Sequence, residues 1–431
     1  MNAALRSVPL LFVLSAFGPY VLLGAGVKLD NLVIYPAGLL LVLLTLASGR
    51  IRYNPMLGTL FLIWGTAFLF LASRTFLSLP ALDFTSVIAE LKNFTQPWAI
   101  MAVFLLLPVF DREGTERVIK RTCQLLVLLL ALNTLWIFVG FAADVSAINR
   151  WFWREYADQV SVASLAMQNG RYSGIFNQPF EAGIAYSLGI VAWLYLLDRN
   201  AWRPGFRTLA LLLLLVIGGL LTVSKVFLFL GLPLLALGVL SSKRIWRRLL
   251  FAGLLFAPIT YFSFRYLTET WGGADYLLRF FDESARRDGW LSLLTAGRFG
   301  GTSSQQSSYF ARIYDSHPLI GEGLGSQKIY DSAFFHFFSA GGSIGLVFYF
   351  LLLLFFIWKL FDFYQHAGLS SEFKLLLGVV LVIFVGSFGA PVLTINRSSV
   401  LIWVLVCLSL LYFQHVKAEK VPVSERRGRV G

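Results

Sequence analysis

The sequence predicts an all-α fold: a polytopic transmembrane helical bundle of about twelve spans, with two large loops on one side. Three observations carry this. Of 431 residues, 57% are hydrophobic and 14% charged, against roughly 45–50% and about 25% in a soluble globular chain. The apolar residues gather in runs close to the roughly 20 residues that a helix needs to cross about 30 Å of hydrocarbon. None of these runs shows the period-two alternation of a membrane barrel, so backbone groups in lipid must be satisfied within helices. A mean hydropathy of +0.72 argues against a soluble enzyme, a disordered chain and a fibrous protein.

The runs fall at 8–27, 31–48, 55–73, 94–110, 122–143, 180–197, 207–222, 226–241, 249–264, 342–358, 375–393 and 398–414. The first follows Arg6 and looks like a signal peptide. The next run begins within a few residues and no A-x-A cleavage signal separates them, so it is read as a retained helix. The stretch 207–241 needs a decision. As one helix it would be about 52 Å long at about 1.5 Å per residue. Thr222, Ser224 and Lys225 interrupt it midway, and a Lys at the bilayer centre costs roughly 2.5–3.5 kcal/mol. Splitting the stretch there moves Lys225 to an interface.

The split also fixes the orientation. With twelve spans and a cytoplasmic N-terminus, the cytoplasmic side receives 21 of the 36 Lys and Arg and eight of the 23 acidic residues. The difference equals the whole formal net charge of +13, and the external side sums to zero. Discounting the long 265–341 loop, whose charge carries little topological weight, basic residues favour the inside by 21 to 8. A single span at 207–241 reverses this to 11 against 18. The excess charge is therefore an orientation signal facing anionic lipid, with no need for nucleic acid. Residues 1–415 form one bundle, and 416–431 a basic cytoplasmic tail expected to be disordered.

Cys123 and Cys407 lie inside apolar runs, and no CxxC or Cys/His cluster exists, so neither a metal site nor a disulfide framework is expected. The candidate chemistry sits in the external loops, 144–179 and 265–341. Long loops in a compact bundle are more often functional than structural. The first ends in RYSGIFNQPFEAG (171–183), where Asn-Gln-Pro marks a turn and Glu181 suits a helix start. A plain re-entry turn with a snorkelling Arg171 explains the same residues. The second loop holds TAGRFGG (295–301), SSYFARIYDSHPLIGEGLGS (307–326) and DSAFFHFFSAGGSIG (331–345). Tyr309, Ile313 and Leu319 suggest one face of a short amphipathic helix on the membrane, stopped at His317-Pro318. The GEGLG turn matches neither GxxxxGK[ST] nor GxGxxG, so it is read as close backbone approach to the bilayer or a headgroup. His336 beside its aromatic run reads as an interfacial residue.

Taken together, R-x-S-G-x-F-x-x-P at 171–179, T-x-S-K at 222–225, Gly297-Arg298, H-P-L-x-G-x-G-L-G at 317–325, Asp331-Ser332 and G-x-x-G-L at 342–346 resemble the O-antigen polymerase (Wzy) and O-antigen ligase superfamily of bacterial envelope glycosyltransferases. The resemblance implies a metal-independent, cofactor-free enzyme of GT-C-like architecture in the bacterial inner membrane, with its active site facing the periplasm. Donor and acceptor would be polyprenyl-diphosphate-linked glycans, membrane lipid would surround it, and a chain-length regulator is a conceivable further partner. By motif, Arg171 and Arg298 would bind the diphosphate or donor sugar, with Arg312 a further phosphate group. Lys225 stands where the family often has Arg, so a point charge replaces a bidentate fork. Ligases carry a His where this chain has Asp331, which favours a polymerase. Asp331 is the first candidate for acceptor positioning or base, with His317 and Glu322 behind it. A ligase, and a lipid-linked oligosaccharide flippase, are the alternatives. The spans are nearly free of charged residues, which fits a headgroup site at one face better than a pathway across the membrane.

Overall fold

Runs of apolar residues punctuated by Pro, Gly, Asp and Ser become helices, and the punctuation sets their ends. A computed structural model describes residues 2–22, 26–48, 54–78, 82–106, 111–155, 160–203, 205–240, 305–326 and 332–420. Helix α1 (Asn2–Ala16) leads into a two-stranded antiparallel ribbon, β1 (Tyr20–Leu22) and β2 (Val27–Lys28). Then come α2 (Leu29–Ser48), α3 (Pro55–Ser78), α4 (Phe84–Leu106) and α5 (Arg112–Ala142). Two short helices follow, α6 (Ser146–Trp153) and α7 (Val162–Gln168), before α8 (Pro179–Asp198) and α9 (Phe206–Leu221). A π-helical turn (Phe227–Gly231) opens α10 (Leu232–Leu240). The remaining described helices are α11 (Gln305–Ser316), α12 (Ala333–Ala367), α13 (Ser371–Gly386) and α14 (Asn396–Lys420).

Caps explain several boundaries. Asp111 accepts the Gly114 N–H at 3.0 Å to start α5, Ser332 accepts that of Phe335 at 3.0 Å to start α12, and Ser370 accepts that of Phe373 at 3.3 Å to start α13. Pro179 occupies the first turn of α8, where its missing N–H costs nothing. Among the described residues five helices, α3, α5, α8, α12 and α14, are long and apolar enough to cross a membrane, as a multi-pass membrane protein requires.

Several boundaries differ from the sequence reading, among them the start of α12 at Ala333, inside the segment read as the 265–341 loop, because the Ser332 cap starts the helix before the apolar run. The first run does not stay helical to residue 27: α1 stops at Ala16, because Gly18-Pro19 breaks it and the ribbon takes over. Helices α4 and α5 begin about ten residues before their apolar runs, so polar first turns extend both. The last helix continues to Lys420, into the segment read as tail; residues 421–431 lie outside the described residues.

The split of 207–241 matches the structure. Helix α9 ends at Leu221, Val223 adopts a left-handed φ of 47°, and the chain turns back. Directions follow from α8. Gly189 packs on Leu215 and Tyr186 on Gly218, so α9 runs antiparallel to α8. Gly183 meets Ser224, Ser187 meets Gly231 and Leu194 meets Gly238, so α10 runs parallel to it. The span predicted at 249–264 lies outside the described residues.

Helices α8 and α14 form the centre, with 89% of the most apolar 18-residue stretch of each buried, against 39% for α5 and α12. Their partners arrange the bundle into two ends. One, here the basic end, carries the half-exposed pairs Arg112–Glu419 at 2.6 Å and Lys374–Asp198 at 3.1 Å, and Arg199 with the partly exposed Glu116 and the buried Glu372. The other, here the loop end, carries the ribbon, α6, α7, the 222–224 turn, α11 and the starts of α4, α8, α12 and α14.

Candidate functional site

At the loop end the 171–176 segment is tied to α5 by buried polar side chains. Asn133 accepts the Ile175 N–H at 2.8 Å and donates to the Tyr186 hydroxyl at 3.0 Å. Gly174 has φ +61°, and a Cβ there would strike the Asn133 amide. The Ser-Gly of the motif is thus explained: Ser173 donates to the Phe176 carbonyl at 2.8 Å, and only glycine fits beside it. Asn133, inside an apolar run, was not singled out by the sequence.

This segment, the end of α5, α6 and α7 enclose a cavity of about 150 Å3. Trp136, Trp153 and Tyr172 give it aromatic walls, and Asp144, Glu155 and Arg171 give it charge. Both indoles are fixed by their N–H groups, Trp153 to the Gly174 carbonyl at 2.7 Å and Trp136 to Asn149 at 3.0 Å. Burial pushes the Glu155 carboxyl up, but hydrogen bonds from the Ser164 hydroxyl and the Ser161 amide outweigh it and hold the group below the ordinary carboxylate range. Burial raises the Tyr172 phenol, so it stays neutral. Aromatic faces with fixed carboxylates and an Arg suit a hydroxyl-rich, phosphorylated ligand.

The motif containing Lys225 arrives at the same place. The Tyr172 amide donates to the Leu221 carbonyl at 2.8 Å, so the Arg171 segment and the 222–225 turn are hydrogen-bonded neighbours. Arg171 and Lys225, 54 residues apart in sequence, thus sit on adjoining segments.

The second group of predicted residues lies on α11 and the loop after it. Helix α11 stops where His317-Pro318 follows, as expected. Its apolar face does not lie free on a membrane. Ile313 is fully buried against Phe335 and Phe338 of α12, and Phe310 stacks on Phe338 at 4.7 Å. Leu319, placed on that face by sequence, is exposed instead. Arg312 pairs with Glu322 at 2.7 Å and lies over the Tyr309 ring, so two predicted candidates satisfy each other. His317 is exposed. Arg298 and Asp331 lie outside the described residues.

The GEGLG turn is close packing against helices, not against a lipid. Gly321, Gly323 and Gly325 have φ of +63°, +97° and +81°. A Cβ on each would meet, respectively, the Gly341 amide at 2.6 Å, Thr75 Cα at 2.9 Å and the Val87 amide at 2.7 Å. The turn is pinned there: Arg74 donates to the Gly321 carbonyl at 2.9 Å, and the Leu324 amide to the Thr75 hydroxyl at 2.7 Å. Helix α12 accommodates it by kinking at Gly342, φ +59°.

Between the two groups lies a set of buried or half-buried charges, of which the sequence reading considered Glu181 and His336 alone. Arg397 is 0% exposed; its side chain donates to the carbonyls of Gly18 and Phe152 at 3.0 and 3.1 Å, and its amide to the Glu181 carboxylate at 2.6 Å. Lys28 and Asp30, both buried, pair at 3.0 Å. His336 is not interfacial: it is buried, with its Nε2 2.9 Å from the Glu90 carboxylate and its ring against Phe94. Lys92 of α4 donates to the Gly26 carbonyl of the ribbon. Each stands at the edge of an apolar run, where a paired interior charge and a solvated boundary charge look alike in sequence. Among the described residues no group of three or more His, Cys, Asp or Glu side chains is placed to hold a metal ion.

Compared with models of protein families and with curated proteins, the chain matches none.

Proposed function

We propose that the chain is a membrane glycosyltransferase that polymerises polyprenyl-diphosphate-linked oligosaccharide repeat units at the periplasmic face of the bacterial inner membrane. In this reading it has about twelve spans, both termini are cytoplasmic, and the loop end faces the periplasm. One observation carries the reading beyond the motif resemblance. The R-Y-S-G-I-F-N-Q-P and T-V-S-K segments adjoin through the Tyr172–Leu221 hydrogen bond, at the bundle end that also holds H-P-L-I-G-E-G-L-G.

The chemistry required is modest. A hydroxyl on the acceptor glycan attacks the anomeric carbon of the donor, the bond from that carbon to the diphosphate oxygen breaks, and polyprenyl diphosphate departs. Cations stabilise the developing charge on the leaving group, the role given to Arg171, Lys225 and Arg298. A carboxylate takes the proton from the attacking hydroxyl, the role given to Asp331. Glu322 and Arg312, paired with each other, hold the glycine turn and are weaker candidates for direct contact.

The test is Arg171→Ala, Arg298→Ala and Asp331→Asn, each expected to lower long-chain glycan severely while the protein still inserts. A ladder of normal length in all three sinks the site assignment. A deletion strain separates the classes. A polymerase defect leaves lipid A-core carrying one repeat unit. A ligase defect leaves none and accumulates lipid-linked polymer, and a flippase defect traps single units on the cytoplasmic side. If the product is a secreted polysaccharide, its loss is the readout.

A further inference from the structure

The cavity that Arg171 lines has a size and a wall chemistry that limit what it holds. About 150 Å3 takes a single six-membered ring, not a repeat unit of several sugars. The exposed residues Asp144 and Met167 stand on its open side. In an aromatic belt at a membrane surface, the indole N–H groups meet water and headgroups. Here both are bonded inside the protein, Trp153 to the Gly174 carbonyl at 2.7 Å and Trp136 to Asn149 at 3.0 Å. What each indole offers the cavity is therefore carbon. The Tyr172 ring is fixed by Phe141, edge-on at 4.7 Å between centroids.

Beside this carbon surface stand a few polar groups, each oriented by its own bonds. Glu155 accepts the Ser161 amide at 2.9 Å and the Ser164 hydroxyl, both on Oε1. An ionised carboxylate offers about four acceptor positions, so Glu155 can accept from a ligand as well. Asp144 accepts the Ser146 amide at 2.9 Å, and that bond holds its carboxyl below the ordinary range. Carbon faces with a few oriented acceptors suit a pyranose, which has an apolar C–H face and a rim of hydroxyls. A hydrocarbon chain would strip water from the carboxylates and return no hydrogen bond. The Arg171 segment is bonded to the 222–225 turn through Tyr172 and Leu221. A diphosphate held by Arg171 and Lys225 is thus next to a ring seated in the cavity.

We infer that this cavity is a subsite for one pyranose ring, the sugar joined directly to the diphosphate, with the aromatic walls against its carbon face and Glu155 accepting its hydroxyls. This rests on the polymerase reading, which gives Arg171 to the diphosphate. The test is equilibrium binding to the full chain in phosphatidylcholine nanodiscs. The probes are farnesyl diphosphate, bare or carrying glucose, galactose, N-acetylglucosamine or N-acetylgalactosamine on its terminal phosphate. The readout is the ratio of the Kd of the bare compound to that of the tightest glycosylated one. Wild type should give about tenfold or more, the value of one hydrogen bond to a charged group. Ala163→Leu fills the cavity without removing a polar group. It should bring the ratio close to one and bind the bare compound as wild type does, which also shows an intact fold. Should that variant lose the fold, Met167→Trp, on the open side, decides in its place. Glu155→Gln should lower the ratio severalfold, and Arg171→Ala should weaken every compound alike. A ratio near one in wild type overturns the subsite, as does a ratio that survives both filling variants. So does equal weakening of bare and glycosylated compounds by Met167→Trp, which would put diphosphate or prenyl chain in the cavity. Binding of none of the compounds overturns both the subsite and the diphosphate role of Arg171. The two ideas fail separately. A polymerase phenotype with a ratio near one overturns this subsite alone. A tenfold ratio in a protein whose deletion leaves glycan unaltered overturns the polymerase reading and leaves the sugar subsite standing.

Discussion

Replacing Gly325 by alanine tests the central packing claim, that the 321–325 turn is glycine-rich because it touches backbone. Two costs apply. At φ +81° an L-residue pays roughly 1–2 kcal/mol for the left-handed region. The new methyl would also lie 2.7 Å from the Val87 amide, 2.8 Å from Val87 Cα and 3.0 Å from the Ser86 carbonyl carbon. These are backbone atoms of α4 and cannot swing aside, so overpacking adds roughly 1–3 kcal/mol. The expected loss is about 2–5 kcal/mol. Gly368 supplies the control. Its φ is +61°, but nothing lies within 4 Å of its would-be Cβ, so Gly368→Ala should cost only the roughly 1–2 kcal/mol backbone share. The assay is unfolding of the purified chain in mixed micelles by increasing SDS fraction, followed by Trp fluorescence. The Gly325 variant should unfold at clearly lower SDS than the Gly368 variant. Equal midpoints would refute the close-approach argument and leave only the conformational one.

Three further outcomes are expected. Arg397→Met should destabilise by about 1–3 kcal/mol in the same assay, because it leaves the Gly18 and Phe152 carbonyls without their buried donor; no measurable loss would show that water replaces the guanidinium. Cys123 and Cys407 are fully buried, so the native chain should stay unlabelled by a membrane-impermeant maleimide; Asp144→Cys and His317→Cys should label from the periplasm of intact cells and Lys374→Cys only after lysis, and the opposite pattern would invert the topology. Glu155 contributes stability to its loop that is present above the ordinary carboxylate pKa and is lost as pH falls through its depressed folded value. Protease cleavage within 160–170 should therefore rise at acid pH, and Glu155→Gln should flatten that dependence.

Local features were legible in the sequence; pairings across the bundle were not. The turn at 222–224, the stop of α11 at His317 and the start of α8 at Pro179 each follow from residues within one turn of the boundary. The Arg397–Glu181 contact joins positions 216 apart, and Glu90–His336 joins α4 to α12. No local period encodes which helices pack together, and a charge beside an apolar run has the same sequence signature whether solvent or another helix covers it. The GEGLG turn was misassigned for the same reason: positive φ is readable from glycine, but what approaches the glycine is not. The ribbon was hidden because its residues are as apolar as the helix before it.

The two ends use charge in different ways, and the difference bears on where chemistry occurs. At the basic end the pairs Arg112–Glu419 and Lys374–Asp198 involve side chains roughly half exposed. Such pairs contribute at most about 1 kcal/mol each, so their number serves orientation more than stability. At the loop end, Lys28, Asp30, Glu181 and Arg397 are all at most 1% exposed. Buried ion pairs seldom stabilise a fold beyond what apolar residues of similar size would give. Stability alone therefore does not account for keeping four ionisable groups in that interior. What the cluster does supply is rigid attachment. Arg397 ties α14 to the end of α1 and to α6, and Glu181 ties α8 to α14. Those elements flank the ribbon that carries Gly26 and the loop that carries Arg171. Held this way, the Arg171 segment proposed for the diphosphate needs no further ordering when substrate arrives, which is the condition for electrostatic stabilisation of a departing diphosphate. Loosening the cluster through Arg397→Lys, which keeps the charge but shortens and unforks it, should then lower turnover more than it lowers stability.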